Sequence, residues 1–390
     1  MPGTSVYNPL HPDTLANPYP LYADLREQTP IFWHEQSNSW ALTRYRECRE
    51  VLRDNETFAR DRRRVGVEVP EFLQNIQTLD PPALTPLKTV LSDALRSQDL
   101  DAMGQRARRS IERLFLALAG RERFDWIHEV AAPVALSVTS ELFGVEKPAQ
   151  DLYVPLSDSI ARRMDVGLDP GRAASGDEAK NQLNKLVEQW YAAADRPGVL
   201  SVIRRTGGKA GVPEHYIRNT TGVMFNASYG TLFATISNVA LALVQHPEAL
   251  EAIRRRGDEK LLETAVDELI RFEGPAQGTS RVAVRPTTIA GQPIERGDVV
   301  LALVASANRD PREFERPEEL VLDRAPNRHL AFGWGLHGCL GAVFGRIAVR
   351  EIIYCLAEAP DLWLAGTPKR RTTATVRSLD LLPLTFRQPG

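Results

Sequence analysis

The chain has 390 residues, 43% of them hydrophobic and 25% charged, with a formal net charge of -2. That is the composition of an ordinary globular protein, and its near-neutrality gives no electrostatic footprint for nucleic acid. Three cysteines, Cys48, Cys339 and Cys355, are too few and too scattered for a disulfide framework or a paired-cysteine zinc site, so any special cysteine acts singly.

The N-terminal stretch MPGTSVYNPLHPDTLANPYPLY is polar and proline-rich. It has no basic segment leading into an apolar run and nothing long enough to span a bilayer, which predicts a cytoplasmic protein with no membrane partner. A helix is expected over Pro20 to Gln28, a hairpin over IFWHEQSNSWALT and another helix over Arg46 to Asp54. Residues 68–84, with the Pro81-Pro82 pair, read as a long exposed loop able to move, and Arg62 to Leu79 as a lid.

From Glu214 to Gln245 the pattern predicts an unusually long helix, ended by His246-Pro247 and striped by Leu232, Ile236, Val239 and Leu243. A rod so apolar belongs in the middle of the molecule. Leu261 to Phe272 predicts a further helix, TIAGQPIERGDVVLALVASAN short strands, Leu340 to Glu358 the last helix, and TTATVRSLDLLPLTF a closing β-ribbon. With no linker in sight, the expectation is one mainly α domain over residues 1–390.

The stretch HLAFGWGLHGCLG, residues 329–341, crowds four glycines around Cys339. Such density suits neither helix nor strand and implies backbone in positions where side chains do not fit. At the start of the following helix, Cys339 would have a dipole and free N–H groups to hold a thiolate, as a metal-ligating sulfur requires. Cys355 shares a helical face with Leu340, Phe344, Ala348 and Ile352 and reads as core, and Cys48 reads the same way.

Phe332-Gly333-Trp334-Gly335-Leu336-His337-Gly338-Cys339-Leu340-Gly341 resembles the haem-binding signature of the cytochrome P-450 superfamily at every fixed position. The resemblance runs from about residue 15 to the C-terminus. It implies the P-450 fold, a helical bundle with small β-sheets around haem b (iron protoporphyrin IX), and Cys339 as the axial ligand of the iron. Phe332 and Gly341 then belong to the haem-binding loop.

Glu268 and Arg271 stand three apart on one helix face, 71 residues before the cysteine. They resemble the family's Glu-x-x-Arg motif, and Arg324 its third, arginine member, a network that serves fold integrity and haem seating. Haem propionates need cationic or hydrogen-bonding partners, and by resemblance these are Arg281 and His337. LDPPALTPLK resembles the Asp-Pro-Pro-x-His-x-x-x-Arg segment with Leu84 in place of the histidine and Lys88 in place of the arginine; the resemblance makes Lys88 a propionate partner, as a point charge and not a fork, while Leu84 cannot serve, so one haem contact is missing or comes from elsewhere.

Ser228, Thr231, Thr235 and Asn238 form a polar stripe along the long helix, in which the hydroxyl of Thr235 is expected to bond the preceding turn. Thr231 matches the family's oxygen-side threonine. Gly230 stands where the family usually has an acid and Ser228 where glycine is common, which predicts proton delivery through Thr231 and ordered water. The resemblance also suggests Phe225, Tyr229, Gln277, Gly278, Thr279 and Val376 as pocket residues.

The implied activity is that of a monomeric monooxygenase of bacterial secondary metabolism or catabolism, oxidising a small-molecule substrate with dioxygen. Electrons would come from a ferredoxin and its NAD(P)H-dependent reductase, docking near Lys88, Arg328 and Arg346. Two competing expectations are an enzyme of oxidative coupling, desaturation or peroxide-driven oxidation, favoured by Gly230, and a haem-based sensor.

Overall fold

A computed structural model describes residues 7–193, 196–256 and 259–386, with residue 256 described in its backbone only; the first six residues of the N-terminal stretch lie outside the described residues. The N-terminal third runs through α1 (Pro12–Ala16), α2 (Tyr19–Gln28), α3 (Tyr45–Arg53), α4 (Leu84–Arg96) and α5 (Leu100–Leu118). Next come α6 (Ala132–Phe143), α7 (Gln150–Arg163), α8 (Ala173–Ala192) and α9 (Val199–Thr206). The 32-residue α10 (Glu214–Gln245) precedes α11 (Pro247–Arg256), α12 (Glu259–Glu273), α13 (Val304–Ala307) and α14 (Ala342–Glu358).

Helix α10 is the axis of the fold, packed against α6, α8, α12 and α14. Leu232, Ile236, Val239 and Leu243 are all at most 4% exposed, as their spacing predicts. His246 caps the helix and its backbone N–H closes on Ala242. By length and composition α10 could cross a bilayer, but two-thirds of its apolar window is buried by the surrounding chain, which marks it as a core helix.

A five-stranded sheet of order β1-β2-β8-β5-β3 flanks the helices. It comprises β1 (Ile31–His34), β2 (Ser39–Leu42), β3 (Phe58–Ala59), β5 (Thr279–Ala283) and β8 (Val299–Ala302), with β2 and β8 parallel and the other pairs antiparallel. The expected hairpin is thus present, and it is extended by strands from the far half of the sequence. The short strands β6 (Thr287–Ile289) and β7 (Gln292–Ile294) pair with each other.

Two expectations change. The tail is not a ribbon folded on itself: β10 (Lys369–Arg370) pairs with β11 (Leu379–Leu381), while β12 (Pro383–Thr385) lies between β4 (Phe124–Asp125) and β9 (Trp363–Leu364). Nor is the stretch before α4 a free loop. Asn219 on α10 donates to the carbonyls of Glu71 (2.7 Å) and Gln74 (3.0 Å), and the N–H of Ile76 donates to Thr220 Oγ1 at 3.1 Å. Leu79 is fully buried, although much of the stretch, Phe72 and Val67 included, is exposed as expected.

Candidate functional site

The segment between His329 and α14 is set by its glycines. Gly333 and Gly335 have φ of +69° and +70°, a conformation that disfavours any residue with a Cβ. A Cβ on Gly335 would also lie 3.0 Å from the Leu52 carbonyl oxygen, so this glycine lets the loop seat against the end of α3. Trp334 is stacked under the Arg49 guanidinium of that helix at 4.9 Å. Part of the glycine density therefore serves the loop's own turns and its packing on α3.

Cys339 lies three residues before α14, with its N–H donating to the Phe332 carbonyl at 2.8 Å. Gly341, the N-cap of α14, directs its N–H at the sulfur. Burial among the loop atoms pushes the thiol pKa up, against the opposing influence of that N–H and of Arg346, so the helix terminus alone does not make a thiolate here. The side chain is nevertheless exposed, unlike Cys48 and Cys355, both buried as expected. Cys355, in the core, has its thiol pushed up to about 12 by burial.

Behind the loop, Glu268 is wholly buried and fully partnered. Arg271 grips it with Nε to Oε2 and Nη2 to Oε1, both at 2.7 Å. Arg324 Nε (2.9 Å) and Asn327 Nδ2 (3.1 Å) add to Oε2, and the Val321 N–H adds to Oε1 at 2.9 Å. Arg271 also donates to the carbonyls of Asn308, Pro317 and Glu319, so the network ties α12 to the whole approach to the cysteine loop.

A second cluster lies at the edge of the five-stranded sheet. Arg281 on β5 is 4% exposed and donates to the Ser280 carbonyl and Thr279 Oγ1. Burial, and then the neighbouring Arg60, pull its pKa down to about 9. His337 Nε2 and Asp80 Oδ1 share a hydrogen bond of 2.7 Å. Burial raises the Asp80 carboxyl, but that hydrogen bond and the N–H of Asp61 outweigh it and hold the pKa low. Burial lowers the His337 imidazole. Among the described residues no hydrogen bond engages Nδ1 of His337.

Lys88 is not a surface lysine. Its Nζ donates to the Leu336 carbonyl, and burial lowers its pKa, so it braces the cysteine loop from α4 and is spent neither on a propionate nor in the docking patch, the two places in which it was expected. In that patch Arg328 is exposed, whereas Arg346 pairs with Asp267 at 2.7 Å and stacks on Phe332. Leu84 is 1% exposed in the core and takes no part.

On α10, Thr231 is exposed although Leu232 and Phe233 beside it are buried, so this face of the helix opens onto space. Its Oγ1 donates to the Ala227 carbonyl at 2.7 Å, and Thr235 bonds Thr231 in the same way. A Cβ on Gly230 would meet only Ser157 Oγ, at 3.9 Å. Asn238 leaves the stripe: it is buried and holds the carbonyls of Glu273 and Arg377.

Three of the pocket expectations are corrected. Phe225 has no exposure and packs among Phe143, Tyr153 and Trp190, and Tyr229, 2% exposed, packs on Tyr153 and Phe233. Both lie on the side of α10 that is buried against α6, α7 and α8, because an aromatic core fills that side. Burial pushes the Tyr229 phenol up, and its hydroxyl has no partner among the described residues. Gln277 turns away as well, accepting from Tyr22 at 3.3 Å. Gly278 packs tightly on Leu301 and Ala302, Val376 bridges to Ala276, and Thr279 accepts hydrogen bonds from Arg60 and Arg281.

The residues fit a haem. Arg60 and Arg281 are packed side by side, and among the described residues neither has a carboxylate within ion-pair distance, an arrangement that calls for an anionic group from outside the chain. The thiol of Cys339 is presented on a turn that leaves it accessible.

Comparison with known proteins agrees. The cytochrome P450 family model matches residues 121–357. The cytochrome P450 monooxygenase PikC of Streptomyces venezuelae is 30% identical over 393 residues, covering 96% of this chain and 92% of PikC. The polyketide biosynthesis cytochrome P450 PksS of Bacillus subtilis is 26% identical, covering 95% and 96%. The crystal structure of CalO2 superposes with a TM-score of 0.86 at 27% identity, covering 99% of this chain and 100% of that one. With thiol, network and fold in agreement, this chain belongs to the cytochrome P450 family and is a haem-thiolate monooxygenase.

Proposed function

We propose that residues 1–390 act as one catalytic domain, a monomeric cytoplasmic enzyme that binds haem b and oxidises a small molecule of bacterial secondary metabolism with electrons from a ferredoxin and its NAD(P)H-dependent reductase. The names of relatives such as PksS support that setting. The accessible thiol of Cys339, backed by the Gly341 N–H, carries the reading.

When bound, haem supplies the two-electron activation of dioxygen and the transfer of one oxygen atom to substrate. Cys339 would hold the iron through Sγ, with its own backbone N–H anchored on the Phe332 carbonyl and the Gly341 N–H directed at the sulfur. Arg281 and Nδ1 of His337 would hold its carboxylates. Lys88 fixes the loop through Leu336. Thr231 holds a proton at Oγ1 on the open face of α10, and the space left by Gly230 beside it admits water to relay that proton. Ser228, Gly278, Thr279 and Val376 border the substrate.

The lack of an acid at Gly230 supports a second reading, in which the enzyme couples or desaturates its substrate. Labelled dioxygen separates the two, since hydroxylation leaves the label in the product. The primary test is the spectrum of the reduced protein with carbon monoxide. The strongly red-shifted thiolate band should be present and should vanish in Cys339→Ala. Its absence from the unaltered protein, or its survival in the variant, overturns the reading.

A further inference from the structure

We infer that Arg60 is a haem-carboxylate ligand of this chain, serving the propionate that the Leu84 side chain has no polar atom to hold, an inference that rests on the haem reading above.

Strand β3 pairs with β5 in the register Phe58 with Ala283 and Ala59 with Val282, and one further step sets residue 60 opposite Arg281. Two guanidiniums thus occupy directly opposed positions at a sheet edge, an arrangement that repels and destabilises. Asp80 lies near enough to offset the two charges in part, but among the described residues neither guanidinium has a carboxylate within ion-pair distance. Arg60 Nη2 donates to Thr279 Oγ1 at 2.8 Å and Nη1 reaches the Gln77 carbonyl only at 3.5 Å, while its buried Nε has no partner among the described residues.

Asp80 is the nearest carboxylate, but its oxygens are already committed. Oδ1 accepts from His337, and Oδ2 accepts from the backbone N–H groups of Arg60 and Asp61 and from Arg64 at 3.4 Å. Asp80 therefore orients the strand end that carries Arg60 and offsets its charge only at a distance, with no hydrogen bond to the guanidinium. What remains is a planar, charged fork with an unspent Nε beside a second one, suited to bidentate capture of a carboxylate.

Leu84 follows the same segment, its N–H closing on the Asp80 carbonyl at 3.1 Å, but its side chain is turned into the core. Lys88, one turn further along, spends its ammonium on Leu336. Among the described residues, the cation left free for a haem carboxylate in this part of the chain is therefore Arg60.

The test compares holoprotein with its Arg60→Gln variant by the rate of haem transfer to apomyoglobin, the ferric/ferrous midpoint potential, and the propionate bending mode in resonance Raman spectra. The variant should lose haem about 10-fold faster or more, as expected when a charge-assisted hydrogen bond is removed. Its potential should fall, because an unshielded carboxylate favours ferric iron, and the propionate mode should shift. Haem loss at the unaltered rate with an unshifted mode overturns the assignment of Arg60 while leaving the thiolate band, and hence the haem reading, intact. Arg60→Lys decides the matter if the glutamine variant does not fold: a point charge in place of a fork should shift the propionate mode, and an unchanged mode overturns the proposal.

Discussion

Glu268 accepts a hydrogen bond from Arg324 at 2.9 Å across 56 residues of sequence, with both side chains all but removed from solvent. Together with Arg271 this makes one anion the meeting point of α12 and the segment leading to the cysteine loop. Removing the carboxylate leaves two guanidiniums buried without it. Glu268→Ala should cost about 3–5 kcal/mol. Denaturant unfolding of the variant should show that loss, together with a sharply lower yield of haem-loaded protein.

Thr231 and Gly230 are separable. Thr231→Ala removes the proton at Oγ1 without disturbing the helix, and product formed per reductant oxidised should fall by about 10²-fold, the usual contribution of a positioned proton donor. Gly230→Asp places a carboxylate where only Ser157 Oγ comes near, so the fold should tolerate it. Coupling should rise in that variant, read as less peroxide released per reductant.

Asp165 is a latch between the segment after α7 and the turn before β11. It accepts from the N–H groups of Ala374 (2.8 Å) and Thr375 (2.9 Å) and from Thr375 Oγ1 (2.6 Å), and Arg172 pairs with it at 3.3 Å. Asp165→Ala leaves those donors unsatisfied and should cost about 2–4 kcal/mol. Hydrogen exchange should accelerate over residues 164–172 and 372–376 and remain unchanged in α10.

His34 gives the chain a pH dependence remote from the cysteine loop. Burial lowers its pKa, and its Nε2 lies 3.0 Å from the Tyr7 carbonyl. The folded state therefore takes up its proton at lower pH than the unfolded state does. Stability should be flat in this respect at neutral pH and decline as pH falls below about 6.5, levelling off once the folded imidazole is itself protonated. Unfolding of His34→Gln between pH 7 and 5 should lack this component.

Much of the architecture is written in local pattern. The bounds of α10, the grip of Arg271 on Glu268 and the core positions of Cys48 and Cys355 follow from spacing and residue type. The resemblance puts Phe225 and Tyr229 in the pocket, and the sequence offers nothing to correct it, because α10 is apolar on nearly every side and periodicity then carries no sense of which face meets which neighbour. The tail strands found partners far away in sequence, which a local alternation does not specify. Arg60 sits in a run, RDRRR, that reads as solvated charge; only the pairing of β3 with β5, more than 200 residues apart, reveals its position.

The apolarity of α10 also has a consequence during synthesis. The ribosome delivers α10 after α6 and α8 but before α12 and α14, which cover its remaining side. Until α14 emerges, the nascent chain carries a helix long and apolar enough to be mistaken for a membrane span. At ordinary translation rates that interval lasts roughly ten seconds. Chaperone occupancy on stalled chains should therefore peak between the completion of α10 and the emergence of α14, and fall once the cysteine loop and its helix have docked.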